Sequence, residues 1–236
     1  MSTVEGGGNI VNNGLILCLD SANAKSYNGV SNTWYDLSKS LNNNGTLVNG
    51  VTFSSVNGGV MVLDGVNDYV SFSSNPNLFF TGTSSYTISV FANIVTSTST
   101  FPAFINRENS VPRNGYNIWF YRDSLTQVAI ASERWTGDGV QKVTYILLNN
   151  SECINVWNQY TVTYDGTTLR FYLNGEFKHS ASASGSITNT STPLEMGRLS
   201  TYYGNFKISN TLVYNKALSG SEIEQNYNAI KKRYQL

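Results

Sequence analysis

Residues 157–178 read WNQYTVTYDGTTLRFYLNGEFK, and this stretch contains the pattern that decides the fold. Within 160–164, tyrosine and valine alternate with threonine, which is the two-residue period of a half-buried β-strand. Asp165-Gly166 turns the chain into a second alternating run at 169–173. Asn174-Gly175 is a strong hairpin signal because both residues tolerate the positive φ of a type I′ turn. The stretch therefore predicts three consecutive antiparallel strands.

The composition of the whole chain agrees with a β-rich fold. Charged residues make up 13% of the 236 residues, and much of the polarity comes from serine, threonine and asparagine. These residues favour turns, strands and caps over helix interiors. Turn-forming clusters recur at about the 8–12-residue spacing of a sandwich. We predict an all-β fold, an antiparallel two-sheet jelly-roll sandwich.

A helical pattern is convincing only near the C-terminus. Ser219 and Glu222 have the spacing of a capping box, in which a hydroxyl and a carboxylate accept from backbone N–H groups at the start of a helix. Apolar side chains then recur at helical spacing on one face, at Ile223, Tyr227, Ile230 and Tyr234. We predict one short C-terminal helix packed on the outside of the sandwich.

The N-terminal segment differs from the rest of the chain. Residues 1–12 contain three consecutive glycines and no apolar period, so we predict a flexible arm over 1–12 and one jelly-roll domain over 13–236. The start has no signal-peptide pattern, and no apolar run approaches membrane-spanning length. We expect synthesis in a cytoplasm, no membrane insertion and, if the protein leaves the cell, exit by another route such as a virus particle.

The charge balance argues against a nucleic-acid partner. Fifteen basic and fifteen acidic residues give a formal net charge of zero, whereas nucleic-acid binding needs a concentrated basic face. The basic run at 231–233 follows the predicted helix, where cations interact favourably with the helix dipole.

Cys18 and Cys153 lie far apart in sequence, each in an apolar stretch. Two interpretations stay open. They are two small buried thiols, or they form a disulfide, which depends on a Cα separation that the sequence does not give.

Residues 62–70, VLDGVNDYV, resemble the FDGxDDYV signature of laminin G-like jelly rolls, which belong to the concanavalin A-like lectin and glucanase superfamily. Further similar motifs follow in the family's order at 157–175, 194–198 and 213–223. The opening at 14–38 is similar to laminin G-like domains of tailed-phage virion proteins. The resemblance spans about residues 14–230 and implies a concanavalin A-like fold, which hosts several functions.

The resemblance also implies a candidate calcium site at Asp64, Asn67 and Asp68. Calcium prefers several oxygen ligands from carboxylates, amides and carbonyls. Asn67 stands where relatives have an acid, and Leu63 where phenylalanine is commoner. The alternative is that these side chains only cap the turn.

Catalytic patterns are weak. Glucanases of this superfamily carry Glu-x-Asp-x-x-Glu on one strand, and that spacing does not occur here. Glu133 has no second acid at strand spacing, and the single histidine, His179, has no motif partner. We predict a non-enzymatic protein.

Sugar binding would need an exposed aromatic platform beside planar polar groups. Trp135, Tyr202 and Tyr203 are the candidate carbohydrate-binding residues because neighbouring glycines indicate loops. Trp34, Trp119 and Trp157 are expected in the core. For any exposed aromatic residue, packing or an oligomer interface is the alternative role.

Two functional hypotheses follow. The first is a virion structural or accessory protein, a capsid decoration or tail component, that binds other virion proteins as a homo-oligomer or as part of a larger assembly. A flexible arm would suit such anchoring. The second is a carbohydrate-binding adhesin that recognises a host surface glycan.

Overall fold

The computed structural model describes residues 9–39, 43–98, 100–110, 112–189 and 191–234. Two α-helices are described, α1 (Asn150–Cys153) and α2 (Gly220–Ile230), with 3₁₀ turns at Val56–Gly58, Pro76–Leu78 and Lys231–Tyr234. The strands are β1 (Leu15–Asp20), β2 (Thr33–Trp34), β3 (Gly45–Val48), β4 (Thr52–Ser54), β5 (Val60–Asp64), β6 (Tyr69–Phe72), β7 (Tyr86–Ile94), β8 (Ala103–Ser110), β9 (Arg113–Arg122), β10 (Gln127–Trp135), β11 (Gln141–Asn149), β12 (Trp157–Tyr164), β13 (Thr168–Leu173), β14 (Glu176–Ser182), β15 (Glu195–Met196), β16 (Arg198–Leu199), β17 (Tyr202–Tyr203) and β18 (Asn205–Tyr214).

The strands form two large antiparallel sheets, which confirms the predicted sandwich. The back sheet has the order β14-β13-β12-β7-β18-β5-β4, with β1 also paired to β18. The front sheet has the order β11-β10-β9-β8-β15-β6-β3-β2. The short hairpin β16–β17 stands apart from both sheets.

The three-strand segment predicted from residues 157–178 is present in the back sheet. β12 pairs with β13 from Tyr160 opposite Leu173, and β13 pairs with β14. Asn174 and Gly175 have φ values of 54° and 85°, as a type I′ turn requires.

The main core lies between the two sheets because alternate side chains of each strand point inward. Phe104 of the front sheet stacks on Tyr160 of the back sheet, with ring centroids 5.0 Å apart. The centre of this layer is apolar and wholly buried, as at Ile88, Val90, Ile118, Phe120, Ile130 and Val162.

A second apolar layer covers the outer face of the back sheet. Ser219 Oγ accepts from the N–H of Glu222, and the Glu222 carboxylate accepts from the N–H of Ser219, so the predicted capping box and helix α2 are both present. Ile223 and Ile230 of α2 pack here with Phe91 and Leu212 of the sheet. Trp157 also belongs to this layer.

Residues 9–12 lie against helix α2. The N–H of Val11 donates to Asn226 Oδ1 (2.8 Å), and Asn226 Nδ2 donates to the hydroxyl of Tyr214 (3.0 Å). That hydroxyl donates to the carbonyl of Val11 (2.9 Å). Of the predicted arm, residues 1–8 lie outside the described residues, so the boundary at residue 13 stays a prediction.

The two thiols do not pair. Both Cys18 and Cys153 are free and buried, but Cys18 lies in the layer under α2 and Cys153 in the core between the sheets. In the described parts of the chain, no helix has the length and apolarity needed to cross a bilayer.

Two buried arginines hold the loops at one end of the sandwich. Each guanidinium lies over an aromatic ring, Arg107 on Phe79 (3.9 Å) and Arg134 on Tyr164 (4.3 Å). Each also donates to carbonyls of the loops that precede β7 and β15, at Phe79 and Asn189 from Arg107 and at Gly82 and Gly185 from Arg134. Through these contacts, strands β8 and β10 of the front sheet are connected to the two loops.

Candidate functional site

The outer face of the front sheet carries a shallow depression along β10. Because Tyr116, Ile118 and Phe120 of β9 are buried in the core, strand alternation directs the intervening residues of β9 outward. Trp119 then lies in register with Ala131 of β10. The small alanine side chain leaves room between larger neighbours.

A groove of about 470 Å³ occupies this region, within the range of small-molecule sites. Its walls come from β8, β9, β10 and the hairpin β16–β17. Its lining has an aromatic part, the aromatic wall, and a charged part, the charged wall; they contain Phe101, Trp119 and Tyr202, and Glu108, Arg113 and Glu133, respectively.

The aromatic wall is a cluster of four rings: Phe101, Trp119, Tyr121 and Tyr202. Phe101 contacts Trp119 edge-on, with centroids 5.3 Å apart, and lies 5.0 Å from Tyr121. Tyr202, on the hairpin, lies 6.5 Å from Phe101 and is 42% exposed. We call this set the aromatic cluster; its mutual contacts hold Trp119 at the base of the groove.

Glu133 is the centre of the charged wall. Its carboxylate accepts from Trp135 Nε1 (3.0 Å), Asn117 Nδ2 (3.2 Å) and Arg113 Nη2 (3.2 Å), and also from the amide of Gln141. Its side chain is only 6% exposed. These donors offset the cost of burying a carboxylate, which is large when the charge has no partner.

Glu108 lies beside Glu133 on the same network. It accepts from Arg113 Nη2 (2.6 Å) and Nε (3.2 Å) and from Asn117 Nδ2 (2.9 Å). Burial raises the pKa of Glu108 above its usual value, although hydrogen bonding and charge attraction from Arg113 oppose this, while the charge of Glu133 raises it further. We call Glu108 and Glu133 the carboxylate pair.

Arg113 links the carboxylate pair to an aromatic ring. Its guanidinium lies 4.2 Å from the centroid of the Trp135 ring and is partly exposed. Stacking on Trp135 and pairing with both glutamates fix the orientation of the guanidinium. The charged wall is thus held rigidly before any ligand arrives.

A second groove of about 440 Å³, the side groove, adjoins the first and shares Glu108, Leu199 and Ser200 with it. Most of its lining residues are of polar types, including Asn106, Asn109, Glu195 and Arg198. Arg198 donates to both oxygens of Glu195 (2.8 and 2.6 Å) and lies 3.7 Å from the Tyr69 ring centroid. These contacts anchor the hairpin that separates the grooves.

The residues predicted for sugar binding occupy different positions. Tyr202 lines the groove, and Trp135 lies behind the charged wall with its indole N–H on Glu133. Tyr203 instead packs against Tyr69 (6.4 Å) and accepts from Arg198 Nη1 (3.3 Å). The structure therefore brings Trp135 and Tyr202 to this face but turns Tyr203 away from the groove.

The expectation that Trp119 belongs to the core is wrong. It is only partly buried and lines the groove. The 116–121 segment, YNIWFY, has large aromatic side chains on both sides of the alternation, so the pattern alone does not say which of them face the core.

Several groove residues were missed from the sequence, including Phe101, Glu108 and Arg113. Glu133 and Trp135 are two residues apart on one strand, and this spacing could have placed them on one face. Glu108 and Glu133 meet only because β8 and β10 both pair with β9.

The loop predicted for calcium has the contacts of a capped turn. Asp64 Oδ1 accepts from the N–H of Val66 (2.8 Å), and Asp68 Oδ2 accepts from the N–H of Asp64 (3.3 Å). The Asn67 carbonyl accepts from Asn49 (3.0 Å). No cluster of three or more His, Cys, Asp or Glu suited to a metal occurs among the residues described. Calcium binding by Asp64, Asn67 and Asp68 stays a prediction.

Comparison with protein families gives a match over most of the chain. A laminin G-type family model described as "Concanavalin A-like lectin/glucanases superfamily" matches residues 64–224, a span that includes the groove. No curated protein matches the chain in sequence.

Solved structures with the same fold include bacterial toxin domains. The binding domain of Paraclostridial Mosquitocidal Protein 1 is 19% identical with a TM-score of 0.73, over 92% of this chain and 52% of that domain. The receptor binding domain of botulinum neurotoxin C/D mosaic serotype is 18% identical (TM-score 0.71, 92% and 51% covered). The ligand binding domain of botulinum neurotoxin serotype D, solved in complex with N-acetylneuraminic acid, is 17% identical (TM-score 0.70, 92% and 51% covered). This chain spans about half the length of these domains.

Proposed function

The chain belongs to the Concanavalin A-like lectin/glucanases superfamily, and we propose that it is a non-enzymatic carbohydrate-binding module whose sugar site is the groove on the front sheet. The observation that carries this proposal is that Trp119 and the carboxylate pair line one groove of about 470 Å³.

The two walls match the two kinds of surface on a sugar ring. One face of a pyranose presents C–H groups, which pack on an aromatic ring such as Trp119, while the hydroxyl edge needs directional hydrogen-bond partners. Glu108, Arg113, Glu133 and Gln141 provide charged and amide groups in the same groove. A mostly apolar pocket with a few fixed polar groups is typical of small-molecule sites.

The structural neighbours support a binding role in general terms. Three of them are the binding, receptor binding and ligand binding domains of toxins, and the last of these three was solved in complex with a sugar. Because their identity to this chain is below one residue in five, they support the fold, and the assignment of a sugar site here rests on the groove itself.

The carboxylate pair also raises the alternative of glycoside hydrolysis, which commonly uses two acids. In this groove, both oxygens of Glu108 and of Glu133 already accept hydrogen bonds, and both side chains share the guanidinium of Arg113. A nucleophile needs a free lone pair aimed at the sugar, and these carboxylate oxygens are directed at donors of the protein instead. We therefore favour binding over catalysis.

The virion hypothesis states where such a module would act, namely on a virus particle. A particle-borne module could bind other virion proteins and hold a host glycan at the same time, so the two hypotheses are compatible. Mass spectrometry of purified virus particles from an infected host would test the location. Absence of the chain from intact particles would leave a binding module without the virion role.

The direct test of the proposal is a glycan array followed by calorimetry. We expect at least one glycan to bind, and Trp119→Ala to weaken it at least about tenfold, or 1.4 kcal/mol, because the stacking platform is lost. Phe177→Ala is the matched control, since Phe177 is an exposed aromatic residue (55%) on a strand of the back sheet.

A reducing-sugar assay on every glycan that binds completes the test. We expect no release of reducing ends by the wild-type protein. An array without hits would overturn the binding proposal, and turnover abolished by Glu133→Gln would replace binding with hydrolysis.

A further inference from the structure

We propose that the groove is selective for an uncharged, hydroxyl-bearing sugar and discriminates against acidic sugars such as the N-acetylneuraminic acid found in the neurotoxin domain. This inference rests on the proposed function and names the ligand class of the same site. Two features support it. The two grooves carry a net negative charge, and the side groove contains hydrogen-bond acceptors that have no donor.

The charge of the two grooves is negative. Glu108 and Glu133 face a single guanidinium, that of Arg113, in the main groove. In the side groove, Glu195 and Arg198 pair with each other and cancel. Because these groups are partly or wholly shielded from water, their field is screened less than at an open surface. A ligand carboxylate would therefore enter a site with one excess negative charge.

The guanidinium groups that could bind a ligand carboxylate are already in use. Arg113 directs Nε and Nη2 toward the glutamates. Arg198 directs Nε and Nη2 toward Glu195 and Nη1 toward Tyr203. Strong recognition of a carboxylate by arginine uses two parallel N–H donors. In both arginines that edge is occupied by a protein carboxylate, so an acidic sugar would have to displace it.

The unused polar groups of the side groove are acceptors. Asn106 is 95% buried, since its exposed fraction is 5%, and its Oδ1 atom has no donor among the described residues. Asn109 is only partly buried as a residue, but its Oδ1 atom is also buried and has no donor among the described residues. Both residues line the side groove. A buried acceptor without a donor is costly, and a ligand carboxylate, which only accepts, cannot relieve it.

Sugar hydroxyls have the chemistry that these acceptors lack. Each hydroxyl donates one hydrogen bond and accepts others. A neutral sugar that extends from the groove into the side groove could donate to Asn106, while the Gln141 amide supplies a donor in return. The groove is thus complementary to a hydroxyl-rich surface and repulsive to an anionic one.

The experiment compares each array-binding glycan with its own C6 uronate, in which a single CH₂OH is oxidised to a carboxylate. We expect calorimetry to show at least about tenfold weaker binding of the uronate at low salt. We expect this difference to shrink at high salt, because salt screens the repulsion, while the affinity of the neutral glycan stays constant.

Two variants separate charge from hydrogen bonding. Glu108→Gln removes one negative charge and should narrow the discrimination between the neutral glycan and its uronate. Asn106→Ala should lower the affinity for the neutral glycan several-fold without raising the affinity for the uronate. Phe177→Ala should leave the affinities for both ligands unchanged.

The outcomes distinguish this inference from the proposed function. If acidic glycans bind as well as or better than their neutral partners, the inference fails while the binding module stands. If no glycan of either kind binds, the proposed function fails and the inference fails with it.

Discussion

Glu133 shows how a single buried charge can organise a surface. Four side chains donate to its carboxylate. Arg113 and Asn117 lie on β9, Trp135 on β10 and Gln141 on β11. Each donor is thereby oriented on the face of the front sheet. Removing the carboxylate would leave several donors without a partner, and such unmade bonds cost more than made bonds contribute.

We therefore expect Glu133→Ala to lower the free energy of unfolding by about 3 kcal/mol, the scale for breaking a buried pair. Urea denaturation would measure it. The matched control is Glu176→Ala, because Glu176 forms an exposed pair with Lys178 and its side chain is 77% exposed; surface pairs contribute little. Equal losses in the two variants would contradict the structural role assigned to Glu133.

Glu108 should make stability depend on pH. Burial raises its pKa in the folded protein above the ordinary 4.5, so the folded state holds this proton more tightly than the unfolded state does. Its contribution to stability is fully present below 4.5 and is lost as pH rises through the raised pKa.

Glu108→Gln cannot titrate at this position. We expect the stability of the variant, relative to wild type, to increase from acid to neutral pH, as measured by urea unfolding across that range. A constant difference, or a wild type that gains stability over the variant with rising pH, would show that Arg113 and Asn117 outweigh burial.

At the scale of elements, the contact between residues 9–12 and helix α2 depends on one amide. Asn226 is 1% exposed, accepts from the N–H of Val11 and donates to Tyr214. Because Val11 lies near one end of the chain and Asn226 near the other, this amide ties both to the outer face of the back sheet.

We expect Asn226→Ala to cost about 1–3 kcal/mol, the penalty for leaving a buried donor unsatisfied. Hydrogen exchange of the Val11 amide should accelerate in the variant. Amides of β7 and β12 should change their exchange rates only as much as the loss of global stability requires. Asn228→Ala is the control, since Asn228 is exposed on the same helix. Unchanged exchange at Val11 would mean that other contacts hold this segment.

Elements governed by local pattern could be predicted from the sequence, and the groove could not. Strands β12–β14 and the capping box of α2 follow from neighbours in the chain. The meeting of Glu108 with Glu133 depends on the shared pairing of β8 and β10 with β9, which is a long-range choice. Trp119 was assigned to the wrong face because aromatic residues occur on both faces of its strand, so only tertiary packing decides which of them are buried.

At the scale of the whole molecule, two apolar layers enclose the back sheet, and each contains one thiol. Burial raises the pKa of Cys18 to about 12, with smaller contributions from Asp20 and Asp36. Burial also raises the pKa of Cys153 to about 11, with a contribution from Glu152. Both thiols should therefore be protonated and inaccessible in the native protein.

We expect negligible labelling of native protein by a thiol reagent at mildly alkaline pH, and labelling of both cysteines in urea. Mass spectrometry of partly labelled protein would show whether the two react together. Joint labelling would indicate cooperative opening of both layers. Prompt reaction of either thiol without urea would contradict the burial that the structure shows.

The position of the Val11–Asn226 contact has a consequence for display. It lies on the far side of the sandwich from Trp119, with both sheets between them. A fusion partner, sensor surface or neighbouring subunit held close to residue 9 would therefore meet the outer face of the back sheet, on the side of the sandwich away from the groove. If the groove binds glycan as proposed, a row of modules attached on that side would present their grooves together, which favours multivalent binding.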